Sequence, residues 1–162
     1  ITDGHRAVTT VGEEIEHEKK YLYCIKIRYQ SSLNYTLDIS PEILHIPIPK
    51  LVIQPLVENA IKYGTNCAPP WTLSITGKRY EDKWQIDIVD SGDGFSEEAL
   101  RTVSQNIAEA SEKNGMPKLQ IDGLGIVNVY LRWKFHAKES MIFAYGNTPD
   151  GHGFYSIGQK DV

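Results

Sequence analysis

Apolar residues recur at near-helical spacing early in the chain, at Val11, Ile15, Leu22, Ile25 and Tyr29. Thr10 stands three residues ahead of Glu13, the arrangement of a capping box, and the two signals together predict a helix over 11–30. Residues 1–9 before it are polar and patternless. Leu33, Tyr35, Leu37 and Ile39 then alternate with polar residues, which predicts a half-buried strand. Ile53, Leu56, Val57, Ala60 and Ile61 gather on one arc at 100° per residue, the mark of an amphipathic helix. "WTLSITGKRY" and "KWQIDIVD" alternate on either side of a polar turn at Glu81 and Asp82 and read as a hairpin. Ser96 is a helix N-cap followed by Glu97 and Glu98, with Leu100, Val103, Ile107 and Ala110 on one stripe. That pattern stops at Gly115 and Pro117, and the stretch from there to Ile121 reads as mobile. Leu124, Val127, Leu131 and Phe135 mark a further helix, and "SMIFAYG" and "GFYSIG" close the chain as two strands around the turn "NTPDG". Helices and strands mixed without strict alternation predict an α+β fold, a two-layer sandwich with helices on one face of a mixed, mostly antiparallel sheet.

Composition narrows the functions open to this fold. A chain of 162 residues buries roughly 70% of its unfolded surface and needs no staples. Its net charge is −4 and its 17 Lys and Arg are scattered, which argues against nucleic acid or an anionic membrane surface as partner. Cys24 and Cys67 stand far apart and outside any CxxC pattern, which suits a reducing, cytoplasmic setting. The longest apolar run, "LVIQPLV", is broken by Gln54 and Pro55 and is too short to span a bilayer. With Ile1 at its start, the chain is expected to be a piece of a longer protein.

Three polar constellations carry candidate chemistry. On the helix of "QPLVENAIKYG", Gln54, Glu58, Asn59 and Lys62 lie on the arc opposite the apolar one. The plain alternative is a solvated face with an i,i+4 pair between Glu58 and Lys62. In "DIVDSGDGF", strict alternation puts Asp90 on the apolar side of its strand with Trp84, Ile86 and Ile88, where a carboxylate must find a partner. Gly92 and Gly94 follow and let a flat ligand or its phosphates approach the backbone; the alternative is a tight turn with Asp90 bonded to nearby amides. A calcium loop is excluded, because aligning Gly94 with the required glycine leaves Val89 where the first acidic ligand belongs. In "DGLGIVNVYLR", Gly123 and Gly125 open a helix whose free N–H groups form a natural phosphate seat, with Asn128 and Arg132 one turn apart beyond them. Neither a P-loop nor a Rossmann fingerprint is present.

Taken in order, "PLVENAIKYG", "DSGDGF" and "DGLGIVNVYLR" resemble the asparagine box and the two glycine boxes of the ATP-binding domain of histidine kinases, within the GHKL superfamily. The flanking "EEIEHEKKYLYCIKIRY" and "IPIPKLVIQ" are similar to LytS-type sensor kinases, so the resemblance covers nearly the whole chain. It implies a Bergerat-type ATP-binding fold over 33–162 with a lid at about 95–123, and an N-terminal segment and helix, 1–32, leading in from a dimerisation and phosphoacceptor region. It implies ATP and Mg²⁺ as cofactors. Asn59 would ligate the Mg²⁺, Glu58 would be the catalytic base or polarising carboxylate, and Asp90 would accept the adenine amine. Gly92 and Gly94 would shape the pocket floor, Gly123, Leu124 and Gly125 would form the lid hinge beside the phosphates with Asn128 near, and Lys62 would help neutralise phosphate charge. Tyr63 departs from the family's usual histidine, and Trp133 stands where leucine is usual.

The function implied is transfer of the ATP γ-phosphoryl group to a histidine outside this chain. The alternatives are a GHKL ATPase in which Glu58 activates water, and a non-catalytic nucleotide-binding signalling module. A motif like "NPHFLFN" is absent from residues 1–10; His5 in "DGHRA" matches it poorly, and His17, His45, His136 and His152 read as surface or packing residues. The chain is therefore expected to bind ATP, not to autophosphorylate, and to be monomeric alone. The implied partners are the phosphoacceptor and dimerisation domain of the same protein and a downstream response regulator. The implied parent is a membrane-anchored homodimer with this domain in the cytoplasm.

Overall fold

The computed structural model describes residues 8–113 and 124–162. Strand β1 (Val8–Thr10) runs into helix α1 (Val11–Tyr29), followed by β2 (Leu33–Ile39), β3 (Pro47–Pro49) and α2 (Ile53–Gly64). The hairpin β4 (Trp71–Arg79) and β5 (Lys83–Asp90) leads to α3 (Glu97–Lys113), then α4 (Leu124–Ala137), β6 (Met141–Asn147) and β7 (Gly153–Lys160). The segment read as mobile, 115–121, and Gly123 lie outside the described residues.

The main sheet has the order β2-β4-β5-β7-β6. Among the described residues only β2 and β4 pair in parallel, as expected where α2 forms the crossover between them. The other pairs are antiparallel. Alternation works as the sequence predicts: along β5, Trp84, Ile86, Ile88 and Asp90 are buried while Gln85, Asp87 and Val89 are only partly so. The inward residues of β4, β5 and β7 meet Leu56, Val57 and Ala60 of α2 and Ile126, Val129 and Trp133 of α4 in one core. Each of these fully buried aliphatic side chains contributes roughly 1.5–3 kcal/mol. Trp133 is wholly buried, edge-on to Trp84 at 5.8 Å, and its Nε1–H donates to the carbonyls of Gly158 (2.9 Å) and Ile142 (3.1 Å). The indole thus pins α4 to β6 and β7.

Two features depart from the sequence reading. Val8 and Thr9, assigned to a patternless stretch, join the cap residue Thr10 in a strand that pairs antiparallel with Pro47–Pro49 in a second, two-stranded sheet. Prolines cannot donate to a ladder, so "PIP" gives little strand signal, although Ile48 and Pro49 are both buried. The capping box is also only half formed. Glu13 N–H donates to Thr10 Oγ1 at 3.2 Å, while the Glu13 carboxylate accepts from Thr9 Oγ1 at 2.7 Å. Val11 N–H and Gly12 N–H bond the carbonyls of Ile46 and Leu44, so α1 is tied to the segment that delivers the chain into α2.

Candidate functional site

Helix α2 organises the site because its apolar arc is locked into the core and its register along the sheet is thereby fixed. At its C-terminal end Gly64 meets the end of β5. A Cβ on Gly64 would sit 2.8 Å from Asp90 Cβ, and one on Gly92 would sit 2.8 Å from Gly64 Cα, so both positions exclude any side chain. Asp90 is 8% exposed, and its Oδ1 accepts the Gly92 N–H at 2.8 Å. Burial raises its pKa above the ordinary aspartate value, against the backbone amides of Gly92 and Gly153 and the nearby His152, which favour the anion. The outcome is a carboxylate that accepts from two backbone amides, Gly92 N–H at Oδ1 and Gly153 N–H, with Oδ2 on the Gly153 side.

The loop after β5 is held from the other side by the turn between β6 and β7. Asn147 accepts the Phe95 N–H at 2.6 Å and donates to the Phe95 carbonyl at 2.9 Å. Gly94 takes φ +78°, and the space a side chain there would need is filled by Asn147 Oδ1 and the Gly151 carbonyl. His152, assigned from sequence to a surface or packing role, instead reaches the site: its Nδ1 lies 2.8 Å from the Gly92 carbonyl. Asn147→Ala removes both bonds to Phe95 and is expected to cost about 1 kcal/mol of stability. Urea denaturation checks this, and an unchanged midpoint would mean the turn does not clamp the loop.

Asn59 lies five residues, about 7.5 Å, back along α2 from Gly64. The first turn of α4 crosses it: a Cβ on Gly125 would be 3.4 Å from Asn59 Nδ2. Helix α4 begins at Leu124, so Gly125 lies inside its first turn rather than ahead of it. Lys62 is exposed, with Nζ 5.1 Å from the centre of the Tyr63 ring. Nearer the start of α2, Gln54 Nε2 donates to Glu58 Oε1 at 2.9 Å. A cavity of about 220 Å³ opens there between α2 and α4, lined by Leu51, Gln54, Pro55, Glu58, Gly125, Asn128 and Arg132.

Behind Glu58, α1 supplies a residue that the sequence reading did not single out. Glu18 is 1% exposed, its Oε1 has no hydrogen-bond partner, and its pKa is pushed up to about 8 by burial first and then by Glu14 and Glu58. Its position was legible, since Glu18 falls on the same stripe as Val11, Ile15 and Leu22. Glu14 accepts the Leu51 N–H at 3.1 Å. Leu51 takes φ +62°, a conformation that costs a non-glycine residue about 1–2 kcal/mol.

The structure therefore brings Asp90, Gly92 and His152 together at the C-terminal end of α2, Asn59 and Gly125 at its middle, and Glu58, next to Asn59, with Asn128 around a cavity that Gly125 also lines. Among the described residues no group of three or more His, Cys, Asp or Glu could hold a metal alone. No helix of the described residues is long and apolar enough to cross a membrane.

Residues 46–153 match the family of histidine kinase-, DNA gyrase B- and HSP90-like ATPases. The sensor histidine kinase YesM of Bacillus subtilis is 33% identical over 96 residues, 59% of this chain and 17% of its own length. The sensor protein LytS of Oceanobacillus iheyensis is 26% identical over 121 residues, 74% of this chain and 20% of its own. The chain thus spans a fifth or less of these relatives. Among solved structures, a nucleotide-free form of the catalytic domain of histidine kinase ThkA superposes with a TM-score of 0.65 at 15% identity, over 96% of this chain and 97% of that one. The mycobacterial sensor histidine kinase MprB superposes at 0.57 with 12% identity, over 94% and 95%. At these identities the likeness establishes the fold.

Proposed function

The chain belongs to the family of histidine kinase-, DNA gyrase B- and HSP90-like ATPases, which matches 108 of its 162 residues, and from that premise we propose that it is the ATP-binding catalytic domain of a two-component sensor histidine kinase. The observation that carries this reading is Asp90: a buried carboxylate with Oδ1 held by Gly92 N–H, where Gly64, Gly92 and Gly153 bring bare backbone up against it. Such a group suits the exocyclic amine of adenine. A nucleotide seated on it runs back along α2 and brings its phosphates to Asn59 and the first turn of α4. The free N–H groups of that turn and the Lys62 ammonium favour anions.

Magnesium fits the same place. The Asn59 carboxamide supplies an oxygen, Gly125 keeps the space beside it open, and Mg²⁺ needs only one or two protein ligands when phosphates and water complete its shell. Bound there, it would neutralise phosphate charge. The chain's own residues position the nucleotide, and Glu58, next to Asn59 at the middle of α2, takes the proton of the acceptor. The named relatives are sensor kinases, which favours a histidine acceptor over water. In this reading residues 33–162 are the catalytic domain, about 95–123 its lid, and α1 the link to a dimerisation segment. The phosphoacceptor histidine, any membrane anchor and the response regulator lie outside this chain.

Calorimetric titration with a non-hydrolysable ATP analogue, with and without Mg²⁺ and with the matching GTP analogue as control, tests the proposal. Magnesium-strengthened, adenine-selective binding is expected. Absence of binding to either nucleotide would overturn it.

A further inference from the structure

His152 has no part in the reading above, yet it stands at the junction of the two segments that hold Asp90. Its ring Nδ1 lies 2.8 Å from the Gly92 carbonyl. A carbonyl can only accept, so Nδ1 carries the proton, and the neutral ring is the Nδ1–H tautomer. The same Gly92 donates its own N–H to Asp90 Oδ1 at 2.8 Å. Gly153, the residue after His152, donates its N–H to the Asp90 carboxylate, and a Cβ on it would sit 3.1 Å from Oδ2. These bonds close a ring that runs from Asp90 to Gly92, His152, Gly153 and back to Asp90.

The imidazole is a firm support for such a ring. The His152 N–H donates to Thr148 Oγ1 at 3.1 Å, and its carbonyl accepts the Thr148 N–H at 2.7 Å, so the side chain projects from a closed turn. It is half-buried, and it favours the anionic form of Asp90 against the effect of burial. Gly92 has no side chain with which to fix its own peptide; Gly64 blocks it on one side, and the imidazole holds its carbonyl. A hydrogen bond weakens steeply as donor and acceptor lose alignment. If the Gly92 peptide turns, Asp90 Oδ1 loses its amide and the carboxylate plane turns with it. That change falls on whatever reads Asp90, and the phosphate end at Asn59, five residues back along α2, is untouched.

We propose that His152 is a positioning residue that sets base selectivity: its Nδ1–H latches the Gly92 carbonyl, and through Gly92 it fixes the plane in which Asp90 presents its carboxylate to an exocyclic amine. The assignment rests on the ATP reading above. It places part of the discrimination between bases in the turn joining β6 to β7, outside the glycine loop itself. Two substitutions separate the latch from mere polarity. Counted in bonds from the backbone, asparagine carries an amide nitrogen at the place of Nδ1, whereas glutamine carries one at the place of Nε2.

The test is calorimetry on this chain and three variants, with Mg²⁺ and two ligands: the non-hydrolysable ATP analogue, and the matching triphosphate of purine riboside, whose base lacks the amine. His152→Ala should lower affinity for the ATP analogue about three- to tenfold, the worth of one neutral hydrogen bond, and leave the amine-free nucleotide unchanged. His152→Asn should restore the affinity and His152→Gln should not. Urea curves show whether each variant is folded, and the Asn and Gln pair decides even where alanine is not. In the natural chain, long-range ¹H–¹⁵N correlations at alkaline pH should show the Nδ1–H ring. Equal loss for both nucleotides, no loss for either, glutamine serving as well as asparagine, or an Nε2–H ring overturns the latch and leaves the ATP reading intact. A natural chain that binds neither nucleotide overturns both.

Discussion

Asp90→Asn should lower the affinity of this chain for ATP about 10- to 100-fold and shift its preference toward GTP. The Gly92 N–H requires an acceptor at the Oδ1 position, so the asparagine carbonyl must stay there and its NH₂ must take the place of Oδ2. That NH₂ faces the adenine amine donor to donor. A lost charge-assisted hydrogen bond is worth about 1.5–3 kcal/mol, which is one to two decades of affinity. Guanine presents a carbonyl oxygen at the same ring position, so it suffers less and gains a donor. The substitution removes a buried charge but sets the new NH₂ against the Gly153 N–H that the carboxylate accepts, so about 1 kcal/mol of stability is expected to be lost with it. Calorimetry with both nucleotides, read beside a urea curve, separates a binding defect from unfolding. Equal ATP affinity in the two proteins would remove Asp90 from the adenine site.

The direction of Asp90 was legible because it depends on local geometry alone: alternation along Trp84, Ile86 and Ile88 leaves no other face for it. The same holds for the apolar arc of α2, which put Gln54, Glu58, Asn59 and Lys62 on one side. What could not be read was contact between distant segments. His152 and Asn147 reach the Asp90 loop because β7 pairs with β5, and nothing in "NTPDGHG" announces that pairing. Gly64 looked like the end of a helix, and its close packing on Gly92 emerges only once α2 is laid across the sheet. The two-stranded sheet of β1 and β3 was hidden by its prolines. Glu18 was missed for a different reason. Its position on the buried stripe of α1 followed from spacing, but a charged residue there reads by default as a break in the stripe.

Glu18→Gln should flatten the alkaline side of the stability profile and leave the variant more stable than the natural chain at pH 8–9. An unfolded glutamate titrates near 4.5, whereas folded Glu18 is pushed to about 8. Between these values the unfolded chain has released a proton that the folded chain still holds, so stability falls as pH rises from about 4.5 to about 8 and levels off beyond. The loss is on the order of a few kcal/mol at most. Glu14 and Asp90 are raised in the same direction, so a weaker slope remains in the variant. Glutamine keeps the shape and the neutral polar character that burial demands and cannot ionise. Its benefit is therefore absent near pH 4 and largest above pH 8. The arrangement also bears on the site, because a protonated Glu18 leaves the exposed Glu58 without a buried anion behind it at neutral pH. Urea denaturation at pH 5, 7 and 9 measures the effect; parallel pH profiles for the two proteins would show that Glu18 ionises normally in the folded chain and that its burial imposes no proton.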